Sequence, residues 1–88
     1  MIERQVTHVR LRNPSYPTPY GIIALMGPGW WFPSASVIND IVYLRCRYYT
    51  FVGYRKAFLE VVNGPSGSYL RTDADTTTTN NLLSLPRF

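Results

Sequence analysis

Clusters of proline and glycine divide this chain into short segments and thereby limit what it can fold into. The clusters lie at residues 13–19, 27–29 and 63–67. Proline donates no backbone hydrogen bond and glycine favours turns, so none of these clusters continues a strand or a helix. The chain has 88 residues, a length that supports one domain, residues 1–88, with one small core.

The segments between the clusters mostly carry the signs of strands. Residues 5–12 alternate between apolar and polar side chains, which predicts a half-buried strand. Residues 20–26 form a nearly continuous apolar run, as is typical of a central strand. Three further segments, 48–52, 56–62 and 69–72, are rich in aromatic and β-branched residues. Their short connections predict that these three strands form an antiparallel meander.

One segment has the periodicity of a helix. Ser34 is a suitable N-cap, and the apolar residues after it recur at helical spacing at Val37, Ile38, Ile41 and Leu44. The predicted order is therefore β-β-α-β-β-β. We expect an α+β fold in which one small antiparallel sheet carries the helix on a face and is followed by an extended C-terminal tail.

The C-terminal part of the chain carries a recognisable combination of residues. It reads Tyr69-Leu70-Arg71-Thr72, then an acid at Asp75, then Asn80-Asn81-Leu82 and Leu85-Pro86 with a closing aromatic residue. This combination resembles the C-terminal signature of a family of small bacterial and phage domains, domain-of-unknown-function family thirty-eight ninety-two. The resemblance implies no known activity and supplies no catalytic residues.

The apolar residues of the tail need a place to pack. Leu82, Leu85 and Phe88 are expected to lie on the sheet or the helix, since an exposed apolar terminus would fray.

The basic residues are almost all arginines. The net charge is +4, and eight of the nine basic residues are Arg. Arginine suits phosphate and carboxylate groups and stacks on aromatic rings. Arg10 and Arg12 share the outer face of the first predicted strand, and Arg71 lies on the last. If these strands are adjacent or share an end of the sheet, the three side chains form one basic patch. The alternative is a solvated basic surface.

Further candidate ligand contacts come from aromatic and polar residues. Trp30 and Trp31 belong to a run of three aromatic residues that cannot all point inward. One or two of these rings would cap the core, and the remaining ring would offer a stacking platform. Thr72, Asn80 and Asn81 either converge with Arg71 on a polar ligand or satisfy the local backbone.

The common catalytic and metal-binding patterns are missing from the sequence. The chain has one His and one Cys, and it lacks a glycine-rich phosphate loop. Asp73 and Asp75 resemble the start of a calcium loop, but Thr78 and Ser84 stand where the loop requires Gly and Glu. We therefore expect turn-forming acids, no metal, no cofactor and no enzymatic activity.

Two functional hypotheses follow. The first is a non-enzymatic binding module for an anionic ligand, either nucleic acid or a nucleotide. The second is a protein-interaction or self-assembly module anchored by Trp30, Trp31 and Tyr16, for example a viral inhibitor of a host factor. Because no signal-peptide core or membrane-length apolar run is present, we expect a cytoplasmic protein, in the host cytoplasm if it is viral.

Overall fold

The computed structural model describes residues 2–52, 55–72 and 81–88. Within these residues the strands are β1 (Ile2–Gln5), β2 (His8–Leu11), β3 (Ile22–Gly27), β4 (Trp30–Pro33), β5 (Cys46–Val52), β6 (Arg55–Gly64) and β7 (Gly67–Thr72). The helix α1 (Ser34–Val42) connects β4 to β5, and short 3₁₀ helices lie at Pro19–Gly21 and Asn81–Ser84.

The strands form two sheets, with the orders β1-β5-β6-β7 and β2-β3-β4. The predicted α+β class is confirmed, and the predicted meander is present as antiparallel β5-β6-β7. The expectation of a single, wholly antiparallel sheet was wrong, because β1 pairs with β5 in parallel and the first predicted strand is divided between the sheets.

The chain passes from the four-stranded sheet to the three-stranded sheet at Val6 and Thr7. The N–H of Val6 donates to the carbonyl of Tyr49 at 2.7 Å, whereas the N–H of Thr7 donates to the carbonyl of Met26 at 2.8 Å. Consecutive residues are therefore bound to different sheets. A Cβ atom at Gly27 would lie 1.8 Å from the carbonyl oxygen of Gln5, so glycine is required where the chain passes between the sheets.

The aromatic run forms strand β4, which the sequence analysis did not assign. Trp30 pairs with Gly27 and Trp31 with Met26, so β3 and β4 form a hairpin. Gly29 in its turn has a φ of 78°, a conformation that glycine adopts without steric cost.

Helix α1 packs against strands of both sheets, and its Val37 is fully buried. The predicted helix is confirmed, with two corrections. Pro33, not Ser34, is the N-cap, and the Ser34 hydroxyl instead donates to the carbonyl of Ile22 at 2.6 Å. Leu44 lies beyond the helix in a left-handed conformation and is 73% exposed. Its N–H donates to Ile41 and that of Arg45 donates to Asp40, which is the hydrogen-bond pattern of a Schellman C-cap.

The C-terminal tail packs as expected. Leu82 is fully buried in the core, and Leu85 packs against it. The tail then runs parallel to β2 on the edge that β3 does not use. Val9 donates to Pro86 at 3.0 Å and accepts from Phe88 at 3.3 Å. The tail thus contributes side chains to the core and extends the three-stranded sheet.

Candidate nucleic-acid interface

The outer face of the three-stranded sheet collects several of the candidate side chains. Val9 and Leu25 are fully buried on the core side, and side chains alternate along a strand, so His8 and Met26 lie on the opposite side. In the strand register His8 lies opposite Met26, and Met26 lies opposite Trp31. These three residues form one row across the sheet. We call this surface, with Arg10 and Phe88 beside the row, the outer sheet face.

Arg10 lies next to this row and is held in place by the tail. Its Nε donates to the backbone oxygen of Phe88 at 2.9 Å, and its guanidinium carbon lies 4.7 Å from the centre of the Phe88 ring. No carboxylate side chain of the described residues forms an ion pair with Arg10. Among the described residues, the outer sheet face therefore presents a positioned cation that is paired with no carboxylate side chain.

A shallow cavity connects Arg10 to the exposed indole. Arg10, Met26, Trp31 and Phe88 line a volume of about 240 Å³. The Trp31 side chain is 61% exposed. Sequence reasoning missed Met26 and Phe88 as site residues, since only the register and the course of the tail place them beside Arg10.

The neighbouring Trp30 has a different role. Its indole N–H donates to the carbonyl of Gln5 at 3.2 Å. Its ring lies 5.4 Å from the Phe32 ring and 5.3 Å from the Tyr48 ring. Trp30 therefore caps the core, and its inclusion among the ligand contacts stays a prediction. Of the two indoles, Trp31 is the one exposed for stacking.

The three arginines of the expected patch are divided between the sheets. Arg12 is exposed directly after β2, whereas Arg71 lies on β7 in the four-stranded sheet. The Nε of Arg71 donates to Glu60 at 2.5 Å. The strands β2 and β7 are not neighbours and belong to different sheets, so Arg71 does not form a single patch with Arg10 and Arg12. Arg10 and Arg12 both lie within residues 5–12, the first predicted strand.

Of the polar candidates near the C-terminus, Thr72 is not brought to this surface. Thr72 is fully buried, and its hydroxyl has no hydrogen-bond partner within the described residues. A surface ligand cannot reach it, so its assignment as a contact is corrected. Asn81 begins the last 3₁₀ helix. Asn80, Asp73 and Asp75 lie outside the described residues, and the expectations for them remain predictions.

The carboxylates of the described residues are engaged elsewhere. Glu3 lies 3.0 Å from Lys56, Asp40 lies 3.7 Å from Arg4, and Glu60 pairs with Arg71. The hydrogen bond from Lys56 holds the pKa of Glu3 below its ordinary value.

The described part of the chain contains no group of three His, Cys, Asp or Glu side chains placed to hold a metal ion. No helix in that part is long and apolar enough to cross a membrane.

The two sheets, the helix α1 that packs against both and the packed tail define a small α+β domain with an exposed basic and aromatic sheet face. The family of proteins of unknown function DUF3892 matches residues 5–86. The chain therefore belongs to this family, as the resemblance implied. Neither a curated protein nor a solved structure matches the chain.

Proposed function

We propose that this protein is a non-enzymatic module that binds single-stranded nucleic acid, or a nucleotide, on the outer sheet face. The observation that supports this function best is the pairing of Trp31 with Arg10 along one cavity. The exposed indole offers a base a stacking surface, and the positioned guanidinium offers its phosphate a charge-assisted hydrogen bond.

The geometry favours a base laid on the surface over a ligand enclosed in a pocket. The cavity of about 240 Å³ is smaller than the roughly 300–1,000 Å³ of typical small-molecule pockets. Stacking on an aromatic side chain contributes about 1–3 kcal/mol per base. Arg10 is already held by Phe88, so little side-chain freedom is lost when a phosphate binds.

The test is fluorescence anisotropy with labelled single-stranded DNA and RNA oligonucleotides, with mononucleotides and cyclic nucleotides as competitors. Trp31→Ala should weaken oligonucleotide binding about 5- to 150-fold, the equivalent of one lost stack. Arg10→Ala should also weaken binding and should reduce its salt dependence, because one phosphate contact is lost.

Matched controls come from exposed residues away from this face. Tyr43→Ala removes a ring that is 66% exposed, and Arg55→Ala removes an exposed cation at the start of β6. Both controls should bind as the unchanged protein does. Absence of binding to every oligonucleotide and nucleotide at low salt would refute the proposal, as would equal losses in the control variants.

Self-association is the second candidate function, and a specific surface favours it. Val42, Tyr43 and Leu44 are consecutive and are 55%, 66% and 73% exposed. These three residues, at the end of α1, are not the anchors expected from the sequence. Of those expected anchors, Tyr16 is 72% exposed. The proposed occupant is the same surface of a second copy, since isologous contacts are the commonest in homo-oligomers. Sedimentation velocity should then show concentration-dependent dimers that Tyr43→Ser abolishes.

A further inference from the structure

We propose a second binding site, separate from the outer sheet face, which takes the oxyanion group of a small organic ligand. It is a cleft lined by β1, β4, α1 and the start of β5, with a volume of about 380 Å³. We call it the Arg4 cleft, after the arginine that lines it together with Phe32, Asp40 and Arg45. The oxyanion is a phosphate or a carboxylate.

Arg4 is held in place through one of its nitrogen atoms. Its Nη1 donates to the Tyr48 hydroxyl at 3.2 Å and to the Cys46 sulfur at 3.3 Å. The same Nη1 lies 3.7 Å from the Asp40 carboxylate. The guanidinium carbon also lies 5.2 Å from the centre of the Phe32 ring. A guanidinium positioned in this way loses little conformational freedom when it binds a ligand.

The remaining donors of Arg4 are available to a ligand. A guanidinium has five N–H donors, and two of them belong to Nη1. Within the described residues, Nε and Nη2 form no hydrogen bond, while the side chain is 30% exposed. Nε and Nη2 together form the edge of the guanidinium that binds carboxylate or phosphate through two parallel hydrogen bonds.

The charges of the cleft favour one negative group. Arg4 and Arg45 supply two positive charges, and Asp40 supplies one negative charge. The Asp40 carboxylate already accepts a hydrogen bond from the Tyr48 hydroxyl at 2.5 Å, so part of its capacity to accept hydrogen bonds is already used. The carbonyls of Asn39, Asp40 and Ile41 at the end of α1 are also satisfied, by the N–H groups of residues 43–45.

The rest of the cleft suits an apolar or planar body attached to the oxyanion. Ile2 and Phe32 contribute apolar side chains to the lining. The volume falls in the range of roughly 300–1,000 Å³ that is usual for small-molecule sites. A ligand with one oxyanion and one small ring would use both the Arg4 edge and this apolar wall.

The test uses phenyl phosphate, benzoate and inorganic phosphate as probes, with the Nε–H signal of Arg4 followed by ¹H–¹⁵N NMR. Phenyl phosphate or benzoate should shift this signal saturably, and the tighter of the two identifies the oxyanion. Inorganic phosphate should bind more weakly because it cannot use the apolar wall. If no probe moves the Arg4 signal, the proposal is wrong.

Variants distinguish this cleft from general attraction to a basic protein. Arg4→Lys keeps the charge but loses the paired donors, and it should weaken binding about tenfold. Arg45→Ala should also weaken binding of the probes. This variant tests the cleft even if Arg4→Lys does not fold. Arg55→Ala, which removes an exposed cation outside both sites, should leave probe binding unchanged. Equal losses in Arg45→Ala and Arg55→Ala would overturn the proposal. Arg45→Ala should leave oligonucleotide binding intact, so the two sites are tested independently.

Discussion

Replacing leucines by alanine at three positions tests whether the tail is part of the core. Leu82 is fully buried, Leu85 is partly buried against the core, and Leu44 is 73% exposed. The chemical change is the same at each position, so differences in stability report differences in burial. Leu44 has a left-handed backbone, but alanine has the same steric restriction there, so the strain is nearly unchanged.

The expected losses of stability are well separated. Leu82→Ala should lower the free energy of unfolding by about 2–5 kcal/mol, through lost burial and the cavity left behind. Leu44→Ala should change it by no more than about 0.5 kcal/mol, as is usual for exposed positions. Leu85→Ala should lie between the two. A domain of this size has a total stability of roughly 4–13 kcal/mol, so the Leu82 change removes a large share of it.

The assay is urea unfolding followed by circular dichroism, supported by thermal melts. At about 4–8 °C per kcal/mol, Leu82→Ala should lower Tm by at least about 8 °C. Unchanged m-values would show that the variants differ in stability and not in the compactness of the unfolded state. A Leu82→Ala protein as stable as Leu44→Ala would refute the packed tail.

Three further predictions follow from the described contacts. Gly27→Ala should lower the free energy of unfolding by at least about 1–3 kcal/mol, because the new Cβ would lie 1.8 Å from the Gln5 carbonyl oxygen. At Gly29 the space is open but φ is 78°, so Gly29→Ala should cost about 1–2 kcal/mol from backbone strain alone. Chemical denaturation compares the two variants. Burial, together with the hydrogen bond to Asp40, raises the pKa of Tyr48. Above pH ~10 the unfolded state loses a proton that the folded state keeps, so the free energy of unfolding should fall as the pH rises. This fall should be less steep in Tyr48→Phe, which has no phenolic proton to lose. Millimolar Ca²⁺ or Mg²⁺ should leave Tm unchanged if the acids after Thr72 form turns, and a saturable rise in Tm would contradict this.

Local patterns predicted most of the elements because each reflects short-range physics. The apolar spacing after Ser34 located α1, and the turn residues at 63–67 located the β6–β7 hairpin. The sheet arrangement was not predictable in this way. It depends on Val6 and Thr7 donating to different strands, and neither residue has a side-chain signature for such a bend.

The candidate site was predictable only in its residue types. The outward position of Arg10 follows from period-two alternation, and a run of aromatics implies that one ring remains exposed. Which ring it is depends on the β3–β4 register, which turns Trp31 outward and Trp30 towards the core. The grouping of Arg71 with Arg10 failed, because contacts between strands distant in the sequence carry no local signal.

The most direct test of the proposed function is an NMR titration of ¹⁵N-labelled protein with a short single-stranded oligonucleotide at low salt. The proposal predicts saturable shifts in β2, β3, β4 and the end of the tail, with the indole N–H of Trp31 shifting more than that of Trp30. The shifts should weaken as the salt concentration rises. Shifts confined to the four-stranded sheet, or no shifts at all, would contradict nucleic-acid binding on the outer sheet face.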